Sequence, residues 1–172
     1  AWWEDRQAPA GALCKHRIFL ATHDLHLVAL DAPTGRLCPD FGAGGSVNVE
    51  PEVLNAQPPA VKGEVRFSGP PAVVNDVIAL GTTIRDFHRA NAPNGAVRAF
   101  DARTGARRWT FDPVPRTADD PAYAGWTPEA ARNTGARRRN ANHDPYPSAS
   151  TRHLTPRATA AFIASMTRIP VA

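Results

Sequence analysis

The sequence predicts an all-β fold made of about two blades of a β-propeller, followed by a C-terminal stretch with little structure of its own. Three observations carry this: an internal repeat at an offset of 70 residues, short apolar runs bounded by turn residues, and the loss of both patterns after Trp126. The propeller part is expected over residues 1–135 and the tail over 136–172.

The repeat aligns residues 27–38 with 97–108, followed by Trp109, and shares Ala29/Ala99, Asp31/Asp101, Ala32/Ala102, Thr34/Thr104 and Gly35/Gly105. Each copy reads as strand, turn, strand. Arg17 to Thr22 forms a first run and leads through His23-Asp24 into Leu25 to Leu30; in the second copy Ala72 to Leu80 holds an Asn75-Asp76 turn between two β-branched runs, and Val97 to Phe100 alternates. In each D-A-x-T-G segment the Asp carboxylate can accept backbone N–H bonds, and the Gly can take the positive φ that a reversal needs. Asp31 and Asp101 are therefore read as turn-capping residues. Three or four antiparallel strands per copy make a blade. Trp109 is expected to pack between blades.

Residues 39–70, with Phe41-Gly42-Ala43-Gly44-Gly45 and Gln57-Pro58-Pro59, read as a long connection, and 81–96 as a polar excursion within the second copy. Residues 136–172 hold none of the 12 glycines and are dominated by Arg, Ala, Thr, Ser and Pro. This composition points to disorder or marginal structure.

The net charge of +4 separates into unlike parts. Residues 1–135 carry 14 basic and 15 acidic side chains, and residues 136–172 carry 6 and 1. A nearly neutral body with a basic end excludes nucleic-acid binding as the leading function, and Arg137-Arg138-Arg139 is read as a solvated charge run. No apolar run reaches the length of a membrane span, and the opening Ala1-Trp2-Trp3-Glu4-Asp5 has no export signal. Cys14 and Cys38 lack metal-site spacing, which leaves one disulfide or two buried thiols. His16, His23, His26 and His88 have no ligand spacing and are read as loop or surface residues.

Cys14 to Val47, with C-x-x-R-I-F-L-A-T-x-D-x-x-L-V-A-L-D-A-x-T-G-x-x-C-x-x-F-G-x-x-G-x-V, resembles the pyrroloquinoline-quinone (PQQ)-dependent dehydrogenases of the membrane-associated glucose dehydrogenase type. So does Arg66 to Pro115, with Ser68-Gly69-Pro70-Pro71, P-x-V-V-x-D-V-I and G-A-V-R-A-F-D-A-R-T-G-x-x-x-W-T-F-D-P-V-P. The resemblance covers residues 1–135. It implies an eight-bladed propeller holding PQQ and a Ca²⁺ or Mg²⁺ ion, a sugar or alcohol substrate, a membrane quinone as electron acceptor, and a periplasmic location. The general-base Asp and most cation ligands of such enzymes correspond to sequence beyond Trp126, so this chain reads as a fragment, inactive alone. A non-catalytic propeller scaffold is the alternative.

Two cofactor-binding residues follow from the resemblance. Asp86 lies in a loop, Gly81 to His88, similar to the family's G-S-x-x-x-D-N loop, with Phe87 where the family has Asn. Trp3, within Trp2-Trp3-Glu4, resembles the R-G-V-x-Y-x-E segment and stands where an aromatic or His lies near the quinone; packing at a strand edge is the competing reading. No catalytic residue and no metal ligand is assigned. Where relatives continue from a segment like Ala131 to Ala136 into Asn-x-Trp-x-Pro-Met, this chain reads Arg137-Arg138-Arg139-Asn140-Ala141-Asn142. From about residue 136 the chain is expected to derive from a shifted frame of a GC-rich gene. Translating the other two frames of the coding DNA tests this.

Overall fold

Two four-stranded antiparallel sheets carry the fold. The computed structural model describes residues 1–54, 61–85, 92–93, 95–115 and 117–132. Contacts divide the chain after Arg138, and every described residue lies in the first unit. Expectations about 136–172 concern residues outside those described.

The first sheet runs β1 (Trp2–Glu4), β2 (His16–Ala21), β3 (His26–Asp31) and β4 (Ser46–Asn48), in that spatial order. Period-2 alternation along β2 sends Phe19 inward, fully buried, and leaves Ile18 and Leu20 exposed. The β2–β3 reversal is closed by Leu25 at φ 62° and by the Thr22 amide donating to the His26 carbonyl. Thr22-His23-Asp24 is thus a hairpin turn, with the His26 ring 3.3 Å from the exposed Asp24 carboxylate.

The second sheet has the order β6 (Ala72–Val74), β7 (Val77–Leu80), β9 (Val97–Asp101), β10 (Arg107–Phe111). Asn75, at φ 52°, turns β6 into β7, as the Asn-Asp pair predicts. A small sheet pairs β5 (Val65–Phe67) with β8 (Thr82–Ile84). Short helices follow or interrupt the strands: α1 (Glu50–Val53), a 3₁₀ turn at Pro121–Gly125 and α2 (Pro128–Arg132). The stretches 39–70 and 81–96 are therefore not plain loops, since β4, β5 and β8 lie within them. Three residues are too few to display a two-residue period, and each of these strands owes its conformation to a partner distant in sequence.

The repeated turns are built alike. The Asp31 carboxylate accepts from the Thr34 amide and hydroxyl and from the Cys14 amide; the Asp101 carboxylate accepts from the Arg103 and Thr104 amides and the Thr104 hydroxyl. Gly35 and Gly105 sit at φ 70° and 73°, and their amides donate to the carbonyls of Asp31 and Asp101. Around Gly35 a Cβ would meet open space, whereas at Gly105 it would lie 2.7 Å from a Val47 methyl carbon and 3.1 Å from the Gly42 nitrogen. Only the second turn is pressed against the other sheet.

One core joins the two sheets. Phe19, Leu27 and Ala29 of the first and Ile78, Leu80 and Phe100 of the second belong to it. Trp109 pairs with Ala99, which alternates with Phe100 and lies outside this core. Its half-buried ring is thus on the second sheet's far face rather than between the two sheets described. Cys14 and Cys38 form a disulfide, which resolves the alternative left by their spacing.

Candidate functional site

Strand β1 sends its two indoles to opposite sides. Trp2 is 59% exposed and Trp3 5%. Together with Glu4, Arg6, Gln7, Val73, Asn75, Asp76 and Arg103 they line a cleft of about 550 Å³ where β1 meets the β6–β7 turn.

Trp3 is held from several directions. Its Nε1–H donates to the Asp76 Oδ1 at 3.1 Å, and the guanidinium carbons of Arg17 and Arg103 lie 5.5 and 5.6 Å from its ring centroid. Arg103 in turn makes a bidentate pair with Asp5, Nε to Oδ2 at 2.7 Å and Nη2 to Oδ1 at 2.8 Å. Arg17 is buried. Its Nε–H donates to the Cys14 carbonyl, an Nη1–H to the Arg103 carbonyl at 2.7 Å, and Nη2 pairs with Asp40. This arginine ties the first sheet to the turn of the second.

The electrostatics follow from these pairs. The Arg103 guanidinium beside Asp5 lowers its carboxyl to about 2, against the opposing effect of burial and with help from the Gln7 amide. The same contact raises Arg103. Because the folded pKa of Asp5 is depressed, the stability it contributes is full above its ordinary value near 3.8 and is lost as pH falls toward 2. The contribution is on the order of 2 kcal/mol. Urea-unfolding midpoints of the protein and of Asp5→Asn are expected to differ near neutral pH and to converge only as pH falls through and below about 2, where Asp5 becomes protonated in the folded state as well. A constant difference across that range would contradict the pairing.

Trp3 thus lies in the wall of the cleft, while the indole with an open surface is Trp2, stacked on one side against His16 at 5.9 Å between centroids. Asp86, the other cofactor-binding candidate, and His88 lie outside the described residues. The sequence reading did not identify Arg6, Arg17, Asp76 or Arg103 as parts of one place. The available signals were the Arg in C-x-x-R and the variable position of D-A-x-T-G, whose meaning depends on which turn meets which strand.

The residues suit an organic ligand better than a metal ion. An open indole surface and the exposed guanidinium of Arg6 match a planar, carboxylate-bearing ring. For a hard divalent cation the donors do not fit. Among the described residues the one group of three close Cys, His or carboxylate ligand atoms is Cys14, Cys38 and Asp40. The sulfurs are bonded to each other, and Asp40 pairs with Arg17. No helix among the described residues is long and apolar enough to cross a membrane.

Comparison with known proteins bears on the whole region. Residues 1–140 match the family model described as "PQQ: Glucose/ethanol/alcohol dehydrogenase, beta-propeller domain". The chain is 38% identical over 111 residues to the glycerol dehydrogenase large subunit of Gluconobacter oxydans (strain 621H), covering 64% of this chain and 14% of that protein. It is 32% identical over 125 residues to the quinoprotein glucose dehydrogenase of the same strain, covering 71% and 15%. The chain therefore spans a small part of the length of these relatives. A solved europium-containing methanol dehydrogenase aligns at 29% identity over 55% of this chain and 13% of that one, with a TM-score of 0.38, too low to define a shared fold by itself.

Proposed function

The chain belongs to the β-propeller family of PQQ-dependent glucose, ethanol and alcohol dehydrogenases, and on that premise we propose that it is a piece of a quinoprotein dehydrogenase that oxidises an aldose or alcohol. The observation that carries this reading is the family match over residues 1–140, which includes every residue of the cleft. In the same reading the enzyme works in the periplasm and passes electrons to a membrane quinone.

PQQ, when bound, supplies a two-electron acceptor for hydride from the carbon bearing the substrate hydroxyl. The chain's own residues contribute binding and placement. The open surface of Trp2 offers a stacking platform, and Arg6 a charge for a carboxylate. Trp3, fixed by Asp76, Arg17 and Arg103, shapes the wall. Asp86 completes the set proposed from the family's loop. No described residue is assigned as the base that takes the hydroxyl proton, and the cation ligands belong to other parts of such an enzyme, so the piece alone is inactive.

A chimera tests this. Residues 1–132 replace the corresponding segment of the Gluconobacter quinoprotein glucose dehydrogenase, and dye reduction is assayed with aldoses and alcohols, with and without added PQQ. Retention of at least a tenth of the parent's PQQ-dependent rate is expected. A chimera that folds with the parent's thermal stability yet shows no PQQ-dependent rate would favour a non-catalytic scaffold.

A further inference from the structure

The loop after β1 supplies Cys14, and the segment after β3 supplies Cys38 and Asp40. Their sulfurs and carboxylate lie within 4.8 Å of one another. In the oxidised protein the two sulfurs are bonded to each other, and neither serves as a metal ligand. A dithiol reductant changes the donor set. It delivers two electrons and two protons, the Cys14–Cys38 bond becomes two thiols, and the reductant leaves as its own disulfide.

The backbone that holds the pair does not depend on the bond between them. The Cα atoms are 5.7 Å apart; the Cys14 amide donates to the Asp31 carboxylate, the Cys38 amide to the Ala29 carbonyl, and the Phe41 amide to the Cys38 carbonyl. None of these contacts uses sulfur. Two thiolates on one zinc ion need roughly 3.8 Å between sulfurs, given Zn–S distances near 2.3 Å and tetrahedral angles, and side-chain rotation reaches this from such backbone positions. Asp40 is already oriented as a third ligand. Its Oδ2 pairs with the buried Arg17, which leaves Oδ1 for an ion, and its exposed side admits water. Two thiolates, one carboxylate, a divalent cation and the Arg17 guanidinium sum to zero charge, so the partly buried group carries no excess. Soft sulfur donors in a four-coordinate arrangement select zinc over the hard cations that prefer oxygen alone.

We propose that the reduced protein binds a zinc-class divalent ion through the Cys14 and Cys38 thiolates and the Asp40 carboxylate, with water as the fourth ligand, and that oxidation expels it. Binding releases the two thiol protons. In the reverse direction an incoming disulfide takes two electrons from the thiolates and is cleaved to two thiols, and the ion loses its sulfur ligands. The site does not depend on quinone binding.

The test uses the full chain, reduced with dithiothreitol and desalted without oxygen, and Co²⁺ as the probe. Thiolate-to-cobalt charge transfer in the near ultraviolet and strong visible bands of tetrahedral Co²⁺ are expected, saturating at one ion per chain and displaced by Zn²⁺. Histidines of the chain give no such charge-transfer band. Zn²⁺ is expected to raise the thermal midpoint of the reduced chain, chelator to reverse this, and the oxidised chain to show neither effect. Asp40→Asn is expected to keep the charge-transfer band with affinity at least about tenfold weaker, and Cys38→Ser to lose most of the band. Near-UV circular dichroism checks folding; a reduced chain that folds only when the ion is added supports the site equally. A folded reduced chain without the charge-transfer band would overturn the proposal. So would Co²⁺ affinity unchanged in folded Asp40→Asn, affinity as high in urea as in buffer, or a reduced chain still unfolded at saturating Zn²⁺.

Discussion

Arg17→Met is expected to lower stability by about 3 kcal/mol, measured as the shift in urea-unfolding free energy at neutral pH. The loss does not come mainly from the ion pair. Asp40 is 52% exposed and can return to water when its partner is removed, so that contact is worth little. The cost lies in the carbonyls. Those of Cys14 and Arg103 accept from the buried guanidinium, and leaving such groups without donors costs roughly 1–3 kcal/mol each. Contact with the Trp3 ring adds a smaller amount. Methionine keeps most of the side-chain volume, which separates lost hydrogen bonding from a cavity. A change below about 1 kcal/mol would mean that the sheets hold together without this link.

The Cys14→Ser/Cys38→Ser double variant is expected to lose about 3 kcal/mol, because the bridge closes a loop with a separation of 24 residues and restricts the unfolded chain. The folded state is affected as well. Cys38 anchors the segment whose Phe41 is fully buried and whose Gly42 amide donates to the Thr104 carbonyl of the second sheet. Faster hydrogen exchange at Gly42 should therefore accompany the lower unfolding midpoint. Reductant is expected to reproduce the loss in the unaltered protein and to leave the serine variant unchanged. Equal midpoints for oxidised and reduced protein would rule out a stabilising role.

Sequence made the central strands and the turns legible because their signals are local. The alternation of Ile18-Phe19-Leu20 and the Asp and Gly of each D-A-x-T-G turn are complete within a few residues, and β2, β3, β7 and β9 follow from them. The strands β4, β5 and β8 left no such mark. Each has three residues and pairs with a segment well away in the chain. The cleft was hidden for the same reason. Trp3 meets Asp76 across 73 positions, and Asp5 meets Arg103 across 98. Nothing in either neighbourhood signals the other. Which of Trp2 and Trp3 turns inward depends on strand register, set by the pairing Trp3↔Arg17 and not by the identical residue types.

The last strand position of each sheet differs in a way that bears on aggregation. In the first sheet it is broken into a single bridge at Leu37 and the short β4, with Pro39 and a glycine-rich excursion between them. In the second, β10 is continuous but irregular in register between Arg107 and Trp109, and it presents exposed Arg107 and Arg108. Interruption, a bulge and positive charge all discourage an incoming strand from extending a sheet sideways. Growth by added strands, the route toward amyloid-like ladders, is thus hindered at these two edges.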